Sequence, residues 1–507
     1  MNYLIGIDIG TSATKTVLFD EDGAVIASAS REYPLYQPHN GWAEQKPEDW
    51  RDAVLSTLAQ VVGESRVEPD RIKGIGLSGQ MHGLVMLDEK GEVIRPSIIW
   101  CDQRTGEEVE DMLKIMPREQ WIAITANPPL TGWTAAKILW VRKHEPEHYR
   151  RCRHILLPKD YIRYILTGVF AAEVSDASGM QLLDVPGRCW SGEVLEALGI
   201  DGGMLGTLYE SCEVTGTLLP DIALQTGLSV SVKVVGGAGD NAAAAVGTGI
   251  VRDGTAFTTI GTSGVVFAHS SRVSIDPGGR VHTCCSAVPG AWHMMGVTQG
   301  AGLSLKWFKD EFCQDYVQEA GELGKDVYDL INEAVAGIPA GSDRLIYLPY
   351  LMGERTPHLD PDCRGVFFGL SAIHTKKHLL RAVMEGVSYS LCDCNEILRE
   401  MGVHITQMMA CGGGGKSPVW RQMLADLYDC QVKTVRQEEG PALGAAILAG
   451  VGCGIYDSVE RACDRLLSEK DITEPAVAGT ELYHRYHELY QDLYKSLQKD
   501  FKTLAVL

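Results

Sequence analysis

Two aspartates stand where a strand gives way to a glycine-rich turn, a place from which a carboxylate can reach a ligand. Asp8 precedes the turn Gly10-Thr11-Ser12, and Lys15 follows it. Backbone N–H groups and hydroxyls at such a turn can cradle phosphates. A carboxylate among them is tolerated when a divalent cation intervenes, so Asp8 reads as metal-facing; its plainer role is to cap the turn. Asp240 follows Gly236-Gly-Ala-Gly239 and precedes Asn241 and a run of alanines. A carboxylate there can accept a proton from a hydroxyl that attacks phosphorus, because phosphoryl transfer rests mainly on positioning and electrostatics. The plainer alternative is a helix N-cap.

A third glycine site reads Ala410-Cys411-Gly412-Gly413-Gly414-Gly415-Lys416-Ser417-Pro418. An apolar strand enters it, Ser417 and Pro418 open a helix, and the glycines allow a flat or anionic ligand to approach closely. It falls short of a P-loop, since Ala410 replaces the first required glycine and Pro418 follows at once. A nucleoside-binding turn fits better. The string His144-Glu-Pro146-Glu-His148 spells a zinc-protease motif, but Pro146 interrupts the helix that motif needs. Gln80-Met81-His82-Gly83 combines hydrogen-bonding groups with an apolar wall, a mixture suited to a sugar. Asp102 and Arg104 offer a carboxylate and a guanidinium at a strand end; a surface ion pair is the simpler reading.

The elements that must carry these residues repeat. Residues 3–19 read strand, Gly-Thr-Ser, strand, and Thr255-Ala-Phe-Thr-Thr-Ile260-Gly261-Thr262-Ser263-Gly264-Val-Val-Phe267 repeats the pattern half a chain later. Two such hairpins facing one another could grip a polyphosphate from both sides. Strands and helices alternate on both sides of a boundary placed after Gly247, which predicts α/β layers in two domains, 1–247 and 248–507. Helical periodicity marks 106–116, 134–144, 376–400 and 417–428, with a polar terminal helix over about 480–503.

The bulk properties exclude several classes. A 507-residue chain with a net charge of −20 repels nucleic acid and anionic lipid. Its 14 cysteines include no C-x-x-C pair, which argues against a zinc knuckle or a disulfide framework. The N-terminus lacks a basic region and an uninterrupted apolar core, and no run is long enough to cross a bilayer. A cytoplasmic location is the expectation.

These residues together resemble the FGGY carbohydrate kinases. Gly6-Ile-Asp8-Ile-Gly10-Thr11-Ser12 is similar to the family's first phosphate hairpin, and Gly132-Trp-Thr134-Ala-Ala-Lys137 through His144 to its first signature. Gly365-Val-Phe-Phe-Gly369-Leu370, with His378-Leu379 and Ala382-Val-Met-Glu385, is similar to the second, and Pro349 through Pro357 also fits. The resemblance implies two ribonuclease-H-like domains of the actin and hexokinase type with a cleft between them. It implies ATP and Mg²⁺, with Asp240 as catalytic base and Asp8 near the metal. Gly261-Thr262-Ser263 and Gly412 to Lys416 would lie at the nucleotide. The loop Gln80-Met81-His82, with Leu157 to Tyr161 and Ser175 to Gly179, looks most like the family's xylulokinases, which implies D-xylulose as substrate, held near Met81, His82, Asp102, Asp240 and Asn241. A related kinase for gluconate, ribulose or glycerol is the near alternative. An ATP-driven switch on the same fold is the distant one. Family members are often homodimers.

Overall fold

The computed structural model describes residues 1–437 and 439–507. Its first half is built on a mixed sheet. The strands are β1 (Tyr3–Ile9), β2 (Ala13–Asp20), β3 (Val25–Glu32), β4 (Ile72–Gly79), β5 (Val214–Thr217), β6 (Lys233–Val235) and β7 (Ala238–Gly239). The spatial order is β5-β6-β4-β1-β2-β3, with β7 also paired to β4. β1, β4 and β6 run parallel, whereas β1-β2-β3 form an antiparallel meander.

Alternation along β1 explains why this sheet needs two covers. Ile5, Ile7 and Ile9 pack with Trp50, Val54 and Leu58 of the helix α1 (Pro47–Ser65). Leu4 points the other way, into a cluster with Ala442, Leu443 and Ala446 of a helix from the far half of the chain, Gly440–Gly452. That helix lies almost on the sheet backbone. A Cβ on Gly6 or on Gly76 would stand 1.8 Å from the Ala442 or Ala445 carbonyl oxygen, so neither position accepts a side chain. Asp8 shares the face of Leu4 and Gly6, two residues further on, where the sheet face runs out beyond the start of the covering helix.

The second half repeats the plan. Its strands are β8 (Thr255–Ile260), β9 (Gly264–Ser270), β10 (His282–Cys285), β11 (Trp292–Thr298), β12 (Gln407–Cys411), β13 (Gln431–Val435) and β14 (Glu469–Thr473). They lie in the order β10-β11-β9-β8-β12-β13-β14. The first hairpin, β8-β9, corresponds to β1-β2, and the parallel neighbour β12 corresponds to β4. The expected helices form: α2 at Gly106–Ile115, α3 at Thr134–His144, α4 at Lys376–Glu400 and α5 at Pro418–Tyr428. The terminal helix runs further than its polar pattern predicts, over Val477–Ala505, because Tyr483, Tyr490, Tyr494 and Phe501 bury one of its faces. No described helix is long and apolar enough to cross a membrane.

Candidate active site

Register brings the first cluster together. On β4, Ser78 lies beside Asp8 of β1 and beside Ala238 of β7, so the three strands end side by side. Ser78 Oγ donates to Asp8 Oδ1 at 2.8 Å. Burial holds the Asp8 carboxyl above its ordinary range, against the Ser78 hydrogen bond and the Lys15 charge. One residue past β7, Asp240 opens the helix Asp240–Gly247. Gly239 is the N-cap, so Asp240 is the first helical residue and not the cap. Its Oδ1 accepts from the Asn241 backbone N–H at 2.7 Å and from Asn241 Nδ2 at 3.0 Å. Burial in the cleft floor and then the negative charge of Asp8 push the Asp240 carboxyl up to about 7. Such a group is half ionised near neutrality and can take up a proton.

The loop after β4 builds a wall beside Asp240. Met81 lies against the backbone of Gly239; a Cβ there would stand 3.0 Å from Met81 Cγ. His82 adopts φ 66°, a left-handed conformation unusual for a side-chain-bearing residue. Its carbonyl is held there by Lys137 Nζ at 2.7 Å and Thr134 Oγ1 at 3.1 Å, both from α3. His82 Nδ1 meets the Gly179 carbonyl at 2.8 Å. A carbonyl only accepts, so Nδ1 carries the proton and Nε2 is left as an acceptor. Burial lowers the His82 imidazole to about 3, which keeps it neutral. Gln80 is buried and serves the hairpin: its Nε2 donates to the Gly10 carbonyl at 3.2 Å and to Gln45 Oε1 at 2.8 Å.

Two residues to which the sequence assigns no site role, one of them inside the Gly132–Lys137 string, complete the wall. Trp133 stacks on His82 with ring centroids 4.6 Å apart, and the His282 ring lies tilted against it at 5.4 Å. His282 belongs to β10, in the second half of the chain. Its Nδ1 faces Asn127 Oδ1 at 3.0 Å, while Asn127 Nδ2 donates to the Thr125 and Thr283 carbonyls. His282 Nε2 is therefore a second acceptor, on an imidazole that burial lowers to about 4.

Asp102, expected at the sugar, requires correction. It is fully buried, and both its oxygens are occupied. Ala43 N–H donates to Oδ2 at 2.6 Å, Arg104 N–H donates to Oδ1 at 2.9 Å, and the Arg104 guanidinium spans both oxygens. The pair is neither on the surface nor open to a ligand; it clamps the loop, with Arg104 stacked 3.6 Å from the centre of the Trp42 ring.

The glycine sites of the second half also meet. In the β8–β9 turn, Gly261 N–H donates to the Ser263 carbonyl at 3.1 Å, and Gly261, Thr262 and Ser263 are exposed. Gly412–Gly415 form one short helical turn packed on the end of β8. Gly412 has φ 74°, and a Cβ on Gly414 would stand 2.6 Å from Ile260 Cβ. Gly413 has open space around it, and Lys416 is exposed. In the first hairpin, Thr11 Oγ1 accepts from Trp100 Nε1 at 2.9 Å, Gly10 N–H donates to the Ala13 carbonyl, and Ser12 is exposed. Lys15 Nζ sits 2.5 Å from Glu439 Oε2, across the two halves. The zinc-protease string is split as expected: His144 ends α3 and Pro146 starts the next helix, and the two histidines pair with different glutamates.

The two-sheet repeat is shared with known proteins. The N-terminal domain of the FGGY family of carbohydrate kinases matches residues 3–247, and its C-terminal domain matches residues 256–453. The xylulose kinase of Bacillus subtilis (strain 168) is 40% identical over 503 residues, covering 99% of this chain and 98% of that protein. The xylulose kinase of Lactococcus lactis subsp. lactis (strain IL1403) is 38% identical over 498 residues, 98% of this chain and 97% of the relative. The crystal structure of xylulose kinase from Rhodospirillum rubrum superimposes with a TM-score of 0.91 at 30% identity, covering 99% of this chain and all of that one. The two sheets are thus the paired domains of the actin and hexokinase-type fold, and the chain belongs to the FGGY family of carbohydrate kinases, enzymes that transfer a phosphoryl group to an alcohol.

Proposed function

We propose that this enzyme phosphorylates D-xylulose at its terminal hydroxyl with ATP, giving D-xylulose 5-phosphate, and that Asp240 is the general base. The observation that carries the reading is the position of Asp240: a carboxyl pushed up to about 7, one residue beyond β7 and next in the chain to Gly239, which packs on Met81. Residues 1–247 supply most of the sugar pocket, with His282 added from the second half, and residues 248–507 most of the nucleotide surface. The relatives named xylulose kinase support the choice of sugar.

In this reading the sugar lies along Met81, with its hydroxyls donating to the neutral imidazoles of His82 and His282. Asp240 takes the proton from O5 as that oxygen bonds to the γ-phosphorus. The bond from phosphorus to the β–γ bridging oxygen breaks, and ADP departs with the electron pair. Asn241 fixes one Asp240 oxygen and leaves the other free to receive the proton. Backbone N–H groups of Gly261–Ser263 and Gly412–Gly415, with Lys416, face the phosphates and nucleoside.

Asp8 and Asp240 each keep one oxygen without a hydrogen-bond partner among the described residues, close enough for the charge of Asp8 to raise Asp240. That pair of carboxylates fits a hydrated Mg²⁺, held mainly by Asp8. When bound, the cation neutralises charge between the carboxylates and the phosphates.

A coupled ADP-release assay with Mg²⁺-ATP and D-xylulose, D-ribulose, gluconate, glycerol or no sugar tests the proposal. A kcat/KM for D-xylulose at least about tenfold above every other sugar is expected. ADP release independent of any sugar would replace the kinase reading with that of an ATP-driven switch.

A further inference from the structure

We infer that Arg355 reads the end of the sugar that is not phosphorylated, and that this guanidinium opens the enzyme to a second substrate class, the five-carbon aldonates. The inference rests on the sugar orientation proposed above.

Arg355 is held out from a rigid base. Its neighbour Glu354 is buried, and the carboxylate accepts from Thr298 Oγ1 at 2.6 Å, from Gln299 N–H and Arg355 N–H at 2.7 Å each, and from Ser390 Oγ at 3.2 Å. On the other side Thr356 N–H donates to the Val297 carbonyl at 3.0 Å. Thr356 Oγ1 accepts from Val297 N–H at 3.1 Å and donates to the Arg280 carbonyl at 2.8 Å. Both flanking residues are thus tied to β11 and to the approach to β10, whereas Arg355 itself is exposed. Its guanidinium makes no ion pair or hydrogen bond among the described residues; it is partly desolvated, and the Glu354 charge bears on it from the next position in the chain. Arg95, Arg104, Arg163, Arg188, Arg280 and Arg381 all have carboxylate partners.

The anchors fix where this cation lies. Arg280 is two residues from His282, and His282 pairs with Met295, two residues from Val297. Arg355 therefore stands at the β10–β11 edge near His282, and its charge bears on both His282 and His82, the two imidazoles against Trp133. It is absent from the charges bearing on Asp240. The site thus has a base at one end and a free guanidinium at the other.

The chemistry of the ligand completes the argument. His82 Nε2 and His282 Nε2 are acceptors, so they suit hydroxyl groups. A carbonyl oxygen only accepts and needs a donor. With O5 at Asp240, the C1–C2 end of a five-carbon ketose reaches toward Arg355, which donates to the C2 carbonyl oxygen. An aldonate of the same length, D-xylonate, presents a carboxylate at that end and a terminal hydroxyl at Asp240. A planar guanidinium binds a carboxylate with two parallel, charge-assisted hydrogen bonds. Xylitol has neither group; its C2 hydroxyl can accept at most a single hydrogen bond from Arg355 and gains the least.

The test is steady-state kinetics on the full chain and on Arg355→Gln and Arg355→Lys, with D-xylulose, D-xylonate and xylitol. The native enzyme is expected to turn over D-xylonate with a higher kcat/KM than xylitol. Arg355→Gln should raise the KM for D-xylulose by about tenfold with kcat within about threefold. It should lower kcat/KM for D-xylonate by about 100-fold and for xylitol least of the three, by under about fivefold, in line with about 1.5–3 kcal/mol for a hydrogen bond to a charged group. Arg355→Lys should recover part of the D-xylonate activity. Thermal unfolding should be unaltered, because the side chain holds no partner.

An unchanged KM for D-xylulose in Arg355→Gln, with native D-xylulose turnover intact, overturns this inference and leaves the proposed function standing. A fall in kcat at constant KM overturns it too, since it places Arg355 at the transferred phosphoryl group. A native enzyme inactive on D-xylulose overturns both.

Discussion

The two hairpins share a scaffold and differ in what fills it. In the first, Asp8 pairs with Lys15 across the turn and with Ser78 on the parallel neighbour. In the second, the corresponding strand position is Thr259, which pairs with Val265 and with Cys411. Beyond the parallel strand, the first half continues into Gln80, Met81 and His82, and the second into Gly412–Gly415. One copy therefore presents titratable and hydrogen-bonding side chains, and the other presents bare backbone. On the proposed reading the first half handles the proton and the second accommodates the flat, charged nucleotide, with His282 and Arg355 reaching back across that division to the sugar.

Removing the base breaks the comparison most severely. Asp240→Asn keeps the Asn241 contacts but has no carboxylate, and kcat is expected to fall by about 10²–10⁴-fold. The coupled ADP assay reads this directly; a kcat within tenfold of native removes Asp240 from the chemistry.

The same residue predicts two effects of pH with opposite signs. With a folded value of about 7, Asp240 is protonated below neutrality, so kcat/KM should fall about tenfold per pH unit under pH 6. His82, neutral down to about 3, adds no second limb above pH 5. For stability, the unfolded aspartate titrates near ~3.9. Between there and about 7 the folded chain holds a proton that the unfolded chain has lost. Stability from this group is therefore present at low pH and is lost as pH rises through about 7. Asp240→Asn, which never ionises, should melt a few degrees above the native protein at pH 8 and level with it near pH 4. A lower melting temperature at pH 8 would mean that the charged carboxylate is stabilised in the fold.

Much of this division is legible along the chain. The strand-turn-strand repeat survives in sequence because an apolar run on either side of Gly-Thr-Ser encodes a hairpin wherever it occurs. The strand-to-helix setting of Asp240 is legible in Gly-Gly-Ala-Gly, but the sequence leaves a helix N-cap open there, and only the structure gives the cap to Gly239. His282 is not legible, since it reaches the pocket through sheet register, from β10 at one edge of the second sheet, and no local motif announces it. Asp102 shows the converse: beside Arg104 it has the composition of a site, but only packing reveals that burial has used both oxygens. Arg355 lies within a recognisable string, yet its lack of a partner is a property of the fold.

The glycine side of the comparison can be sharpened at adjacent positions. Gly414→Ala forces a Cβ to within 2.6 Å of Ile260 Cβ, so Ile260 must shift, at a cost of about 1–3 kcal/mol. Gly413→Ala meets nothing within 4 Å and should change stability by under about 0.5 kcal/mol. If the nucleotide lies on this turn, the second variant still raises the KM for ATP, by about fivefold, because the added methyl occupies ligand space. Unchanged ATP kinetics in Gly413→Ala would put the nucleotide elsewhere.

The smallest effect is expected at Lys15. Next to a phosphate hairpin it reads as a nucleotide ligand, but the fold gives it Glu439, 2.5 Å away and just ahead of the helix that covers β1. Lys15 is 43% exposed and Glu439 23%, and pairs of this kind are worth about 0–1 kcal/mol. If the contact joins the two halves, Lys15→Met should lower the melting temperature by about 1–2 °C, by less in high salt, and leave the KM for ATP within twofold. A tenfold rise in that KM at unchanged stability would show that Lys15 leaves Glu439 for the phosphates during turnover. The first hairpin would then contribute a charge to the nucleotide that the second, with Val265 in the corresponding place, cannot.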